Sequence, residues 1–223
     1  MEARRYDVLI FDWDGTLSDS ESQIVSGMQA AIRDLDLPSR DDRAIGQLIG
    51  LGLEEGMQQL YPELDTDRLI ALLMRYRARF VGQGLHESPL FPGVEQALQV
   101  LAQAGYRLAV ATGKSRPGLN RSFKQHHLLQ PLFAASRTAD ETANKPNPLM
   151  LEELLREFDV PAERALMIGD TEYDAAMAAA IGMPMLGVTC GVHEPQRILA
   201  AGAMALLESV ADLPGWLQTR QIV

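Results

Sequence analysis

Tyr6-Asp7-Val8-Leu9-Ile10-Phe11-Asp12-Trp13-Asp14-Gly15-Thr16-Leu17 decides how the rest of the chain is read. Tyr6 to Phe11 reads as a short strand, apolar and β-favouring on both faces, which is the pattern of a parallel sheet covered by helices. It ends at Asp12. Asp12 and Asp14 are two apart at a strand end, so period-two geometry can point both carboxylates to one side while Gly15 lets the chain turn. Such a pair suits a division of labour, one carboxylate attacking phosphorus and the other moving a proton.

From Ser18 to about Gly84 no further strand of this kind occurs. Apolar residues recur instead at helical spacing, as Ile24, Met28, Ile32 and Leu35 and then Leu69, Leu72, Leu73, Tyr76 and Phe80. This predicts an all-helical insertion, residues 18–87, with hinges at Ser18 to Ser20 and His86 to Pro92. Residues 1–17 and 88–223 form the α/β core, because after Pro92 helix and strand alternate as in βαβ units. Helices are expected from about Gly93 to Gly105, Arg116 to His126, Pro148 to Phe158 and Glu172 to Ala180, with two more starting at Pro195 and Val210. Strands are expected at Arg107 to Ala111, around Phe133, at Ala165 to Ile168 and at Met185 to Thr189.

Ligands of open parallel sheets bind outside the carboxyl ends of the strands. Three such ends carry polar groups: Asp12 with Asp14, Thr112-Gly113, and Gly169-Asp170-Thr171-Glu172-Tyr173-Asp174. Asp170 and Asp174 can share one helical face, and with Asp12 they would crowd three carboxylates into one cleft. Two unit charges about 4 Å apart interact by roughly 4 kcal/mol at an effective dielectric near 20, so the cluster calls for a cation; all-oxygen ligands and a phosphate favour Mg2+. Lys145 precedes Pro146 and the helix-start signal Asn147-Pro148, a position that favours a nearby anion such as phosphate. Thr112 and Gly113 offer a hydroxyl and an amide to a phosphoryl oxygen.

Composition narrows the classes. The chain has 223 residues, 47% hydrophobic and 22% charged, which suits one core plus a modest insertion. A formal charge of -10 argues against nucleic acid as a partner. Cys190 is the only cysteine, so no intramolecular disulfide forms and a reduced, cytoplasmic setting is the default. No stretch reads as a signal peptide or a membrane span. The expected partner is a small phosphorylated metabolite, bound by a monomer or homodimer.

These motifs, in this order, resemble the haloacid dehalogenase superfamily, in its phosphatase branch with a helical cap inserted after the first motif. Asp12-Trp13-Asp14-Gly15-Thr16-Leu17 looks like the first motif, Thr112 with Gly113 the second, Lys145-Pro146 the third, and Gly169-Asp170 with Asp174 the fourth. The resemblance implies a Rossmann-like parallel core and a magnesium-dependent phosphatase working through an aspartyl-phosphate. It implies Asp12 as nucleophile, Asp14 as general acid/base, Lys145 as charge stabiliser, and Thr112, Gly113 and the amides of Trp13 and Asp14 on the phosphate. Asp12, the Asp14 carbonyl and Asp170 would hold the metal, with Asp174 orienting its water shell. Gly50-Leu51-Gly52-Leu53 and Gly187-Val188-Thr189-Cys190-Gly191 make the likeness greatest to phosphoglycolate phosphatases. A phosphosugar mutase of the β-phosphoglucomutase type shares the same acid/base pair, and a receiver-like module that stores an aspartyl-phosphate would not need Asp14.

Other features read as structural. Trp13 is expected to pack in the core, Arg75, Arg77 and Arg79 to form solvated surface, and Cys190 to be a small packed residue. His86, His126, His127 and His193 lack metal-ligand spacing.

Overall fold

The computed structural model describes residues 4–82 and 88–219. β1 (Val8–Phe11) is followed by α1 (Glu21–Asp34), α2 (Asp42–Gly46), α3 (Leu53–Leu60) and α4 (Thr66–Gly82). The remaining elements alternate: α5 (Val94–Gln103), β2 (Arg107–Thr112), α6 (Arg116–Gln125), β3 (Phe133–Thr138), α7 (Leu149–Phe158), β4 (Ala165–Gly169), α8 (Glu172–Ala179), β5 (Met185–Val188), α9 (Pro195–Ala200), β6 (Ala205–Leu207) and α10 (Leu213–Thr219).

The strands form one six-stranded sheet in the order β3-β2-β1-β4-β5-β6, and every pairing is parallel. This is the Rossmann order, with β1 at the centre and the chain switching sides between β3 and β4. Burial on both faces explains the unbroken apolar runs. Leu9 and Phe11 of β1 pack with α5, α6 and α10 on one face, while Val8 and Ile10 pack with α7, α8 and α9 on the other. Trp13 continues the first of these layers, its ring edge-on to Phe123 at 5.3 Å between centroids.

The four helices between β1 and α5 have a hydrophobic cluster of their own, which includes Met28, Ile32, Met57, Leu60, Leu72 and Tyr76. Helical periodicity marks α1 and α4, but α2 and α3 are too short to stand out, at five and eight residues. β6 is a difference of another kind. Its Ala205-Leu206-Leu207 lacks β-branched or aromatic residues, so only edge pairing with β5 makes it a strand. The first strand starts at Val8 rather than Tyr6, and Val210 opens a 3-10 turn ahead of α10. His86 and the first part of the hinge expected from it lie outside the described residues. No helix among the described residues is long and apolar enough to cross a membrane.

Candidate active site

The carboxyl ends of β1, β2 and β4 meet under the helical insertion. Asp12, next after β1, is 1% exposed, and Asp170, next after β4, is 0% exposed. Register explains the approach: Phe11 of β1 pairs with Ile168 of β4. Gly15 makes the turn possible twice over. Its φ of 78° is open to glycine, and a Cβ there would stand 2.3 Å from Asp170 Oδ2.

Asp170 is held by the Thr16 hydroxyl, which donates to Oδ1 at 2.7 Å, and by the Val192 amide, which donates to Oδ2 at 3.0 Å. Asp174 serves α8 first. Thr171 is the N-cap; its hydroxyl accepts from the Asp174 amide and its own amide donates to Asp174 Oδ2 at 3.2 Å, closing a capping box, while the hydroxyl also donates to Oδ2 at 2.6 Å. Asp170 therefore does not cap the helix.

Lys145 enters from the loop before α7 and is completely buried. Its Nζ lies 2.8 Å from Asp12 Oδ1 and 2.7 Å from Asp174 Oδ1. The anions that hold this lysine are thus two carboxylates of the protein itself, and the α7 start plays a smaller part: Pro148, not Asn147, is the N-cap, although Asn147 Oδ1 accepts from the Leu149 amide. The two carboxylates raise the Lys145 pKa against the opposing effect of burial, so it stays charged.

One buried lysine does not balance three buried carboxylates. Oxygen atoms of Asp12, Asp170 and Asp174 all lie within 4.8 Å of one another. Burial, more than the Asp174 charge, pushes Asp12 up to about 7 despite Lys145. Asp170 is raised well above the ordinary range by burial first and then by Asp12 and Asp174. Asp12 Oδ2 is buried with no hydrogen-bond partner. An all-carboxylate donor set with a surplus of negative charge and an orphaned oxygen fits a hard divalent cation.

Asp14 faces the same space and is paired with Lys114, whose Nζ donates to Oδ1 at 2.7 Å. The Thr112 hydroxyl accepts from the Lys114 amide at 3.2 Å. Gly113 lies against the insertion, where a Cβ would stand 2.6 Å from the Leu51 carbonyl oxygen. Asp12, Asp14, Thr112, Gly113, Lys145, Asp170 and Asp174 therefore come together, and Trp13 turns its side chain into the core, as its sequence context leads one to expect.

Lys114 is a functional candidate that the motif reading passed over; its one signal is a cation two residues beyond Thr112. Asn144 and Arg121 also line the cavity above Asp12 and Asp14. So does Arg77, which is half-exposed and 3.7 Å from Glu54, so it is not simply solvated surface; Arg75 and Arg79 instead both pair with Asp34. His193 is built into the contact between insertion and core, with Nδ1 accepting from the Glu172 amide and Nε2 3.1 Å from the Gln47 carbonyl. Burial pushes its pKa down, and it takes no part in the carboxylate cluster. Cys190 is half-buried, and its thiol is pushed up to about 12, chiefly by burial, which suits packing rather than nucleophilic attack.

The chain is similar to curated relatives over almost its whole length. It is 36% identical over 212 residues to the probable phosphatase IndB of Dickeya dadantii, covering 93% of this chain and 92% of that one. It is 32% identical over 219 residues to a plasmid-borne phosphoglycolate phosphatase of Cupriavidus necator, covering 94% and 92%. A solved haloacid dehalogenase-like hydrolase from Bacteroides fragilis superposes with a TM-score of 0.85 at 28% identity, over 93% of this chain and 99% of that one. The family model described as haloacid dehalogenase-like hydrolase matches residues 9–188. With the sheet order, the four motifs and this match in agreement, the chain belongs to the haloacid dehalogenase-like hydrolase family.

Proposed function

We propose that this chain is a magnesium-dependent phosphatase that hydrolyses a small phosphorylated metabolite through an aspartyl-phosphate on Asp12. The observation that carries this reading is Lys145 bridging Asp12 and Asp174 beside Asp170, with Asp14 facing the same cavity. The relatives' names support phosphate ester hydrolysis and make phosphoglycolate the reference substrate. A cytoplasmic monomer or homodimer, without nucleic acid or membrane as partner, completes the reading.

In this mechanism an Asp12 oxygen attacks phosphorus, the bond from phosphorus to the ester oxygen breaks, and Asp14 gives that oxygen a proton. Asp14 then takes a proton from the water that attacks the aspartyl-phosphate, releasing inorganic phosphate and restoring Asp12. Lys145 offsets the repulsion between an anionic carboxylate and an anionic ester, while the Thr112 hydroxyl and Gly113 amide orient phosphoryl oxygens. Asp12, Asp170 and the Asp14 carbonyl would hold the ion, with Asp174 behind them. When bound, the ion supplies the positive charge that the donor set lacks and keeps Asp12 ionised at neutral pH.

Phosphate release from phosphoglycolate, a 5′-nucleotide and a hexose 1-phosphate tests the reading, with Mg2+ and with a chelator. Release that depends on the metal is expected. No release, or release untouched by chelation, contradicts it, and isomerised sugar without free phosphate would point to a mutase instead.

A further inference from the structure

The cavity above Asp12 and Asp14 does not stop at the strand ends. It measures about 420 Å³ and runs into the interior of the helical insertion. Its walls there include Ile24 and Met28 of α1, Ile45 of α2, Met57 and Leu60 of α3, and Tyr76 of α4, with Gln23 of α1 and Glu54 of α3 as polar members. Five of the six apolar residues belong to the insertion's own hydrophobic cluster, so the cavity opens a space inside an apolar core. Cations line it as well, but Lys114 follows β2, Arg121 lies on α6 and Arg77 on the half-exposed flank of α4; none comes from α1, α2 or α3.

Two consequences follow for the alcohol part of a substrate whose phosphoryl group sits at Asp12. Pockets of about 300 to 1,000 Å³ hold drug-sized ligands, so the space greatly exceeds what glycolate fills. A carboxylate pushed in among Met28, Ile45 and Met57 would lose water without gaining a cation, whereas an alkyl or aryl group would lose nothing by leaving water.

From this geometry we infer that the preferred substrate is a phosphate monoester whose alcohol carries a compact apolar body, alkyl or aryl, seated among Met28, Ile45, Met57 and Tyr76. The inference rests on the phosphatase reading above and narrows it. The apolar walls act as the specificity-determining surface, and the polar strand ends act only on the phosphoryl group.

The test is the ratio kcat/KM for ethyl, butyl and hexyl phosphate against phosphoglycolate, with Mg2+ and the full-length protein. The acidity of the leaving alcohol barely changes along the alkyl series, so chain length reports burial. A buried methylene is worth a factor of about three to four, which predicts a rise on the order of a hundredfold from ethyl to hexyl phosphate and places phosphoglycolate below hexyl phosphate. Met28→Trp, which fills the space, should lower the ratio of hexyl to ethyl phosphate kcat/KM at least tenfold. A flat or falling series with phosphoglycolate hydrolysed best overturns the inference and leaves the phosphatase reading standing. Absence of phosphate release from every ester overturns both. A Met28→Trp protein that does not fold leaves the wild-type series to decide alone.

Discussion

Lys114 reaches from the loop after β2 to the loop after β1 and places its Nζ 2.7 Å from Asp14 Oδ1 and 3.0 Å from Oδ2. Both side chains are mostly shielded, at 17% and 13% exposure, and both line the cavity. The lysine therefore fixes where the acid/base carboxylate of the proposed reaction points. Proton transfer by a positioned side chain contributes about 10²- to 10⁴-fold, and loosening it forfeits part of that. Lys114→Met is expected to lower kcat about tenfold to a hundredfold. Because Asp14 lines an open cavity, water can reach it once its partner is gone, so the urea midpoint should move much less than for a fully buried pair. Steady-state rates with an unchanged kcat would remove Lys114 from the account.

Lys145 differs because nothing around it is wet. Its removal leaves Asp12, Asp170 and Asp174 buried without their cation. Lys145→Met should destabilise the metal-free protein by about 3–5 kcal/mol, the usual result of breaking one side of a buried ion pair. Urea unfolding in chelator measures this, and a midpoint equal to wild type would show that the lysine does not hold the cluster together.

Gly113 tests the contact between core and insertion. A methyl group there meets the Leu51 and Gly50 carbonyl oxygens at 2.6 and 2.7 Å, so backbone must shift. Gly113→Ala is expected to lower kcat/KM about tenfold or more, in line with the sensitivity of catalysis to misplacement of about 1 Å. Thermal unfolding should change by less than about 1 kcal/mol, since loop and insertion can move apart. Wild-type kcat/KM in this variant would show that the closed contact is not needed.

How much of this is legible in the sequence depends on where the interaction lies. Asp12, Asp14, Thr112 and Asp170 stand out because each ends or closely follows an apolar strand, where chemistry collects in a parallel sheet, and Asp174 follows Asp170 at helical spacing in the first turn of α8. The capping box of Thr171 and Asp174 is less plain, because Asp stands where the motif usually has Glu or Gln and Asp170 is as good a cap candidate by type. The anions beside Lys145 are not legible, because Asp12 and Asp174 come from distant segments. Lys114 has only its place two residues beyond Thr112 to separate it from a solvated lysine. Ile24 and Met28 show the apolar face of α1, but periodicity is the same whether that face meets a neighbour or a cavity. β6 is hidden because Ala205, Leu206 and Leu207 favour helix as readily as strand.

The pH dependence of the metal-free protein has a definite sign. Asp12 is raised from 3.8 to about 7, so between those values the folded state binds more protons than the unfolded one, and stability falls as pH rises. The full difference is on the order of 4 kcal/mol, present below about pH 4 and lost by about pH 7. Other groups superimpose their own slopes, so the quantity to measure is the stability of wild type minus that of Asp12→Asn, which should fall between about pH 4 and pH 7 and stay constant above. Mg2+ competes with the same proton and should raise the melting temperature more at pH 8 than at pH 5. Equal metal stabilisation at both pH values would place the ion elsewhere.

Covalent trapping addresses the central claim. Rapid acid quench of the Asp14→Asn protein with Mg2+ and an aryl phosphate labelled in its phosphoryl group, whose phenolate leaves without a proton from residue 14, should leave label on the peptide that contains Asp12, because loss of the base slows release of the aspartyl-phosphate. Asp12→Asn should carry no label and release almost no phosphate. Phosphate formed at wild-type rates by Asp12→Asn, or label found on any other residue, would contradict the account.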